Sequence, residues 1–278
     1  MPPADITKEA PSGAVKHYVT RITAAGAAKA SDWIADEVPV ALVYNGISHV
    51  VMMATAEKLE EFATGFSLTE GIVRDLSDIY SIEVTDGCRD GKNVEVTIAS
   101  ECFWKLKDKR RNLTGRTGCG ICGTESLDQA VRKAPAVPQT QTFSLAHYPQ
   151  ALSYVTEVEK IGSLTGATHC AVWVNTDGTL AGGCEDVGRH VALDKLLGLR
   201  ARRGWKDGIV VVSSRASYEM VQKCAVCGVE ILLAMSAPTR LAVDMAESCG
   251  MTLAAFCRSE RLNVYTHPER LTGTLASR

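Results

Sequence analysis

The sequence predicts a mixed α/β protein in two parts: an α+β N-terminal domain rich in strands, then an α/β domain with helices on both faces of a sheet. Three observations carry this. Between Glu37 and Ile98 the β-rich runs come in two pairs, each joined across a turn dipeptide, Asn45-Gly46 or Asp90-Gly91. A proline-bearing stretch, Ala134-Pro135-Ala136-Val137-Pro138, then interrupts all periodicity. Beyond it, short wholly apolar runs alternate with helical patterns, as a sheet buried on both faces requires.

Taken in order, residues 1–35 are Ala-, Pro-, Gly- and Thr-rich without an apolar core, and read as a flexible tail. Residues 36–133 form the first domain. Pro39–Tyr44 and Ile47–Met53 pair as a hairpin, because Asn-Gly suits the positive φ angles of a type I′ turn. Ala56–Thr69 has Leu59, Phe62, Ala63 and Phe66 at helical spacing, with Gly71 beyond its end. Strands Ile79–Val84 and Asn93–Ile98 follow, then a basic helix, Phe103–Leu113. Residues 134–143 read as a linker. In the second domain, residues 144–278, Ser144 caps a helix running to about Ile161. Cys170–Asn175 and Thr179–Gly182 make a hairpin. Helices Glu185–Leu197, Tyr218–Cys227 and Thr239–Cys249 alternate with strands Gly208–Val212, Glu230–Met235 and Met251–Phe256. Such a sheet is largely parallel after its first hairpin. Ligands of open α/β sheets bind beyond the carboxyl ends of the strands, which singles out Gly182–Arg189, Ser213–Ser217 and Phe256–Arg261.

Composition narrows the function. With 30 Lys+Arg against 32 Asp+Glu the net charge is −2, so no global field draws nucleic acid or an anionic membrane. No apolar run reaches the roughly 18 residues of a membrane span, and a cytoplasmic location is expected. Ten cysteines in a chain without an export signal are expected to stay reduced, which favours catalytic or metal-binding roles for clustered thiols. Isolated ones such as Cys170, Cys249 and Cys257 read as small buried hydrophobes.

The chemistry concentrates at Cys119-Gly120-Ile121-Cys122. Gly115, Gly118, Gly120 and Gly123 surround the pair, and glycine has the most conformational freedom to lose on ordering. Lys105, Lys107, Lys109, Arg110, Arg111 and Arg116 lie upstream, and cations favour thiolate, the nucleophilic form. A mobile, reactive thiol is one reading. A zinc site shared with Cys224 and Cys227 is another, although the two pairs stand far apart in sequence. A thioredoxin-like redox pair should follow a strand and open a helix, which these flanks do not supply. Cys224 and Cys227, three apart on a helix with Met220 and Val221 one turn earlier, fit core packing.

At these residues the chain resembles the formate dehydrogenase accessory protein (FdhD) family. The likeness rests on Glu37-Val38-Pro39-Val40-Ala41-Leu42-Val43-Tyr44-Asn45-Gly46, on Gly115-Arg116-Thr117-Gly118-Cys119-Gly120-Ile121-Cys122-Gly123 and on Glu185-Asp186-Val187-Gly188-Arg189-His190. Ser213-Ser214-Arg215-Ala216-Ser217-Tyr218-Glu219-Met220 and Val264-Tyr265-Thr266-His267-Pro268 extend it, so that it spans about Val38 to Arg270.

The resemblance implies a sulfur carrier, hence a sulfurtransferase. A cysteine desulfurase loads a persulfide onto Cys119, with Cys122 as its partner. The sulfur passes to the molybdenum cofactor in its bis(molybdopterin guanine dinucleotide) form, a bound substrate, for formate dehydrogenase. No permanent metal is expected, and a homodimer is left open. Its cofactor loop maps onto Phe256, Cys257, Arg258, Ser259, Glu260 and Arg261, with Arg258 and Arg261 as phosphate partners. Glu260 puts a negative charge in that loop. Ser214 and Ser217 can donate to phosphate beside a helix N-terminus or cap that helix, with Arg215 adding charge and Arg189 facing the same sheet edge.

The element order of the second domain also resembles the cytidine-deaminase-like fold, which raises a zinc-dependent deaminase as a rival. Its signature would need a residue between Cys184 and Glu185, and thiolates where Ser214 and Ser217 stand. A third reading is a non-catalytic scaffold that binds the cofactor and uses its cysteines structurally. Glu185 and Asp186 are expected in a first helical turn, where acids complement the dipole. His190 is expected either at the ligand edge or in the core, and His267 in a structural role.

Overall fold

The computed structural model describes residues 11–88, 90–114 and 133–275. Strands β1 (Ala14–Thr23) and β2 (Gly26–Ala35) form an antiparallel hairpin, in register from Ala14↔Ala35 to Thr23↔Gly26. The expectation of a tail is corrected over this stretch. Val15, Tyr18, Val19, Ile22, Trp33 and Ile34 are β-formers spaced among alanines and threonines. Because Tyr18 (86% exposed) and Ile22 (80%) stay in solvent, no apolar face betrays the strands in the sequence.

The next unit is a four-stranded sheet of order β4-β3-β6-β5. β3 (Val38–Tyr44) and β4 (Ile47–Ala54) are the expected hairpin, with φ of 46° at Asn45 and 79° at Gly46. β5 (Ile79–Asp86) pairs antiparallel with β6 (Lys92–Ile98), which lies parallel to β3. Helices α1 (Leu59–Thr69) and α2 (Ser100–Thr114) pack here, and Leu42, Tyr44, Phe62, Val94, Val96 and Ile98 are sealed between the layers.

The stretch 134–143 is extended, as its prolines require, and is strapped along the following unit. Val137 is buried and its N–H donates to the Cys249 carbonyl (2.9 Å). The Glu230 carboxylate accepts from the N–H groups of Thr140 (2.9 Å) and Gln141 (3.1 Å). Phe143–Ser144 (β7) then pairs with Leu271–Thr272 (β14).

The largest sheet has six strands in the order β13-β12-β11-β10-β8-β9. They are β8 (His169–Val174), β9 (Leu180–Asp186), β10 (Ile209–Val212), β11 (Ile231–Ala234), β12 (Thr252–Arg258) and β13 (Arg261–Thr266). β10, β11 and β12 run parallel, and β8, β9 and β13 are added antiparallel. The period of two divides the apolar strands between two cores. Trp173, Val210, Val212, Leu232, Ala234 and Leu253 face α5 (Arg189–Arg203), α6 (Tyr218–Val226) and α7 (Arg240–Cys249). Val172, Val174, Ile209, Val211, Ile231 and Leu233 face α3 (Tyr148–Val158). The fold is thus mixed α/β, with an α/β/α second unit.

Two sequence-based boundaries need correction here. The helix expected from Ser144 to Ile161 is three pieces: Ser144 caps a 3₁₀ turn over Leu145–His147, α3 follows, and Glu159 separates it from α4 (Lys160–Thr165). The break has a tertiary cause, since the Glu185 carboxylate draws in the N–H groups of Ile161 (2.9 Å) and Gly162 (2.5 Å) and the Thr168 hydroxyl (2.5 Å). Consequently Glu185 and Asp186 end strand β9 and are not first-turn helix acids; α5 begins at Arg189.

The two units meet where α1 crosses α5. A Cβ on Gly65 would lie 1.8 Å from the Asp194 carbonyl oxygen, and one on Gly198 would lie 1.9 Å from that of Glu61. The backbones touch, and glycine at both positions is what permits it.

Candidate functional site

The three segments singled out by the strand-end rule lie together at one edge of the six-stranded sheet. Backbone and hydroxyl bonds stitch the strand ends across it. Ser213 donates its N–H to the Cys170 carbonyl (2.9 Å), and its hydroxyl accepts from the Cys170 N–H (2.9 Å). The Ser236 N–H donates to the Ser214 carbonyl (3.4 Å), and the Phe256 N–H to that of Ser236 (3.1 Å). The loops after β9, β10 and β11 and the bend at Phe256 in β12 therefore share one rim.

Arg189 and His190 are placed on that rim by a buried polar clamp. Asp186 is wholly buried, and its Oδ1 accepts from the Gly188 N–H (2.9 Å), shaping the turn into α5. Its Oδ2 accepts from Lys195 Nζ (2.6 Å) and from the N–H and hydroxyl of Thr55 (3.0 Å each). Lys195 also donates to the Thr55 carbonyl (3.1 Å). A second buried group lies beside it: Lys223 bonds Asp194 (3.0 Å), Glu70 (2.9 Å) and Thr69 (3.0 Å). Buried charges persist when paired and hydrogen-bonded, and both groups tie the first unit to the rim of the second. Sequence reasoning missed Thr55, Lys195 and Lys223. The available signal was Asp194-Lys195, two charges amid the apolar run Val191–Leu197 of α5.

The rim is cationic and carries polar atoms that the described residues leave unpartnered. Arg189 Nε, His190 Nδ1 and Ser217 Oγ are buried and have no hydrogen-bond partner among the described residues. Buried polar atoms are normally paired, and three at the starts of two neighbouring helices leave hydrogen-bonding capacity unspent at this rim. Ser217 stands at the N-cap of α6, yet its hydroxyl makes no capping bond there. His169 titrates below its ordinary range because of burial, reinforced by Arg189 and Arg215. His190 binds Glu219 through Nε2 (3.0 Å); burial lowers its pKa, with Glu219 working against the shift. Ser214, expected as a phosphate donor, is buried and donates to the Arg215 carbonyl (3.1 Å), while Arg215 is exposed. Among the described residues the set suits an anion.

Phe256 to Arg261, expected as a loop at a strand end, is the tip of the β12–β13 hairpin, turning at Ser259-Glu260. Phe256 has φ of 51° and its ring is exposed. Arg258, Ser259, Glu260 and Arg261 are exposed, whereas Cys257 faces the core, its thiol pushed up to about 11 by burial. The Arg258 guanidinium folds back onto the carbonyls of Met235 and Cys257. The Tyr148 hydroxyl pins the hairpin from beneath, 2.9 Å from the carbonyl oxygens of both Arg258 and Arg261. Tyr148 was not a sequence candidate, and its distance in the chain explains why.

Cys119 and Cys122 lie outside the described residues, as does Arg116. The second pair is a packing element. Cys224 is sealed in the core, and burial raises both thiols, Cys227 to about 12. Cys184, the deaminase counterpart, is likewise in the core. Among the described residues no cluster of three or more His, Cys, Asp or Glu side chains is arranged to hold a metal, and no helix is long and apolar enough to cross a membrane.

Comparison with known proteins supports the fold described above. The crystal structure of a proposed formate dehydrogenase accessory protein from Desulfotalea psychrophila superposes with a TM-score of 0.76 at 26% identity, covering 93% of this chain and 99% of that one. A sequence model of the FdhD/NarQ family matches residues 35–272, from the start of the four-stranded sheet to the end of the last strand pair, and the chain belongs to that family.

Proposed function

We propose that this protein is a cytoplasmic sulfur carrier in the maturation of formate dehydrogenase. Cys119 accepts the terminal sulfur of a cysteine desulfurase persulfide: a new S–S bond forms at Cys119, the donor's S–S bond breaks, and the donor leaves as thiolate. The acceptor is the bis(molybdopterin guanine dinucleotide) form of the molybdenum cofactor, a substrate held at the rim of the six-stranded sheet. One observation carries this reading. Three segments distant in sequence reach one rim of the sheet, with Arg189 and Arg215 beside the unpartnered Arg189 Nε and Ser217 Oγ and with Arg258 and Arg261 at the hairpin tip, which suits a long diphosphate-bearing ligand. The structural relative's description as a formate dehydrogenase accessory protein supports the pathway.

The test is Cys119→Ala. Formate dehydrogenase activity in cells carrying the variant should fall to background, while the purified variant still binds guanine nucleotide. After incubation of the wild-type protein with a desulfurase and cysteine, intact mass should rise by one sulfur on the peptide holding Cys119. Full formate dehydrogenase activity with the variant would replace the carrier reading with that of a scaffold.

A further inference from the structure

His190 is braced at one ring nitrogen and has no partner at the other among the described residues. Its Nε2 meets the Glu219 carboxylate at 3.0 Å, its side chain is 23% exposed, and its Nδ1 is buried without a partner. A carboxylate at Nε2 keeps the proton on that nitrogen. In the neutral ring Nδ1 is then a lone pair, the wrong polarity for a phosphate oxygen. The ring suits an anion after it gains a second proton, and both nitrogens then donate.

The charged groups facing His190 decide whether it does. Glu219 on α6 favours the proton, and Glu70, beyond α1, favours it more weakly. Arg189 on the same helix and Lys223 on α6 oppose it, as does burial, which dominates in the free protein. A diphosphate on this rim would neutralise Arg189 and reverse that balance.

We infer that His190 is a proton-coupled contact for the diphosphate: as the anion arrives, the ring takes a proton from solvent at Nδ1 and donates it as a hydrogen bond to a phosphate oxygen, with Glu219 bracing Nε2. This rests on the reading that the rim binds a guanine dinucleotide, and it adds a regulation, tighter binding at lower pH. The sign follows from linkage. The bound state holds its proton to higher pH than the free state, so affinity is greatest below the free pKa and declines as pH rises through the bound one.

The experiment titrates the full chain calorimetrically with P1,P2-di(guanosine-5′) diphosphate, whose internal diphosphate does not titrate near neutrality. It spans about pH 5.5 to 8, in two buffers of different ionisation heat, so that protons taken up are counted directly. The wild type should lose about tenfold in affinity across that range and take up about half a proton per ligand midway between its free and bound midpoints. His190→Asn, which keeps a donor near the Nδ1 position but cannot titrate, should bind with a flat pH profile and no uptake. Proton NMR of the wild-type His190 ring, read with and without dinucleotide, should show its midpoint rising by about one pH unit on binding, independently of how the variant folds. Binding without proton uptake overturns this inference and leaves the site reading standing, and uptake that persists in His190→Asn also overturns it. If the dinucleotide binds at no pH, the site reading falls and this inference with it.

Discussion

Gly198 sits against the backbone of α1, and replacing it with alanine tests how the two units are joined. The added Cβ would lie 1.9 Å from the Glu61 carbonyl oxygen and 2.7 Å from the Gly65 nitrogen, against about 3.4 Å for ordinary contact. Both obstacles are backbone, so no rotamer change relieves them; α1 and α5 must separate by about 1.5 Å. Overpacking of this kind costs about 3 kcal/mol at the upper end of its usual range. A gap of that size also forfeits much of the dispersion between the helices. Alanine returns about 1 kcal/mol through helix propensity, leaving a net loss of about 2–3 kcal/mol. For a chain of this size that corresponds to a fall in Tm of about 5–10 °C. The Thr55–Lys195–Asp186 and Thr69–Lys223–Asp194 bonds cross the same junction, so formate dehydrogenase maturation should weaken as well. Thermal unfolding of Gly198→Ala beside wild type decides the matter. A Tm that is unchanged, or higher by the few degrees that propensity alone would give, would show that the helices are not in backbone contact.

Three further outcomes are expected. Lys195→Met should cost about 3–5 kcal/mol in a denaturant titration, because Asp186 is left charged, buried and short of its cation; a loss below about 1 kcal/mol would mean that the Asp186 carboxyl is neutral. Tyr148→Phe should cost about 1–2 kcal/mol and weaken dinucleotide binding by loosening the hairpin tip, and unchanged affinity would separate that tip from the site. Arg74 bonds Asp78 through Nε and Nη2 at 3.1 Å and holds its carboxyl far below the usual range. The folded state thus keeps Asp78 ionised at pH values where the unfolded chain protonates it. Its contribution is complete above about pH 4 and fades as acid titrates the folded form, so Asp78→Asn should flatten the acid limb of the stability curve; an identical limb would refute that assignment.

Much of the architecture is legible in the amino acids because its causes are local. Asn45-Gly46 predicts its hairpin since those residue types accept positive φ, and the wholly apolar runs at Ile209–Val212 and Ile231–Ala234 predict strands covered on both faces. The strand-end rule alone brings Arg189, Ser214, Arg215 and the 256–261 segment to one rim. The failures have a common origin. The β1–β2 hairpin has no buried face for periodicity to report, and β13 pairs at an edge with exposed side chains. Glu185 and Asp186 carry the charge of helix-start acids, yet a contact to Ile161 and Gly162 holds the first in a strand and a bond to Lys195 holds the second.

The sequence by itself determined the class of the fold, the family and the segments that gather at one rim of the large sheet, because these depend on turn chemistry, hydrophobic period and motif. Tertiary structure alone decided which groups at that rim are available. Cys257 faces inward and Phe256 outward through a bend in β12, Ser214 is occupied by a backbone carbonyl, and Arg189 Nε, His190 Nδ1 and Ser217 Oγ are left unpaired. Whether a donor is spent or spare depends on partners distant in the chain, and no local pattern of residues encodes it.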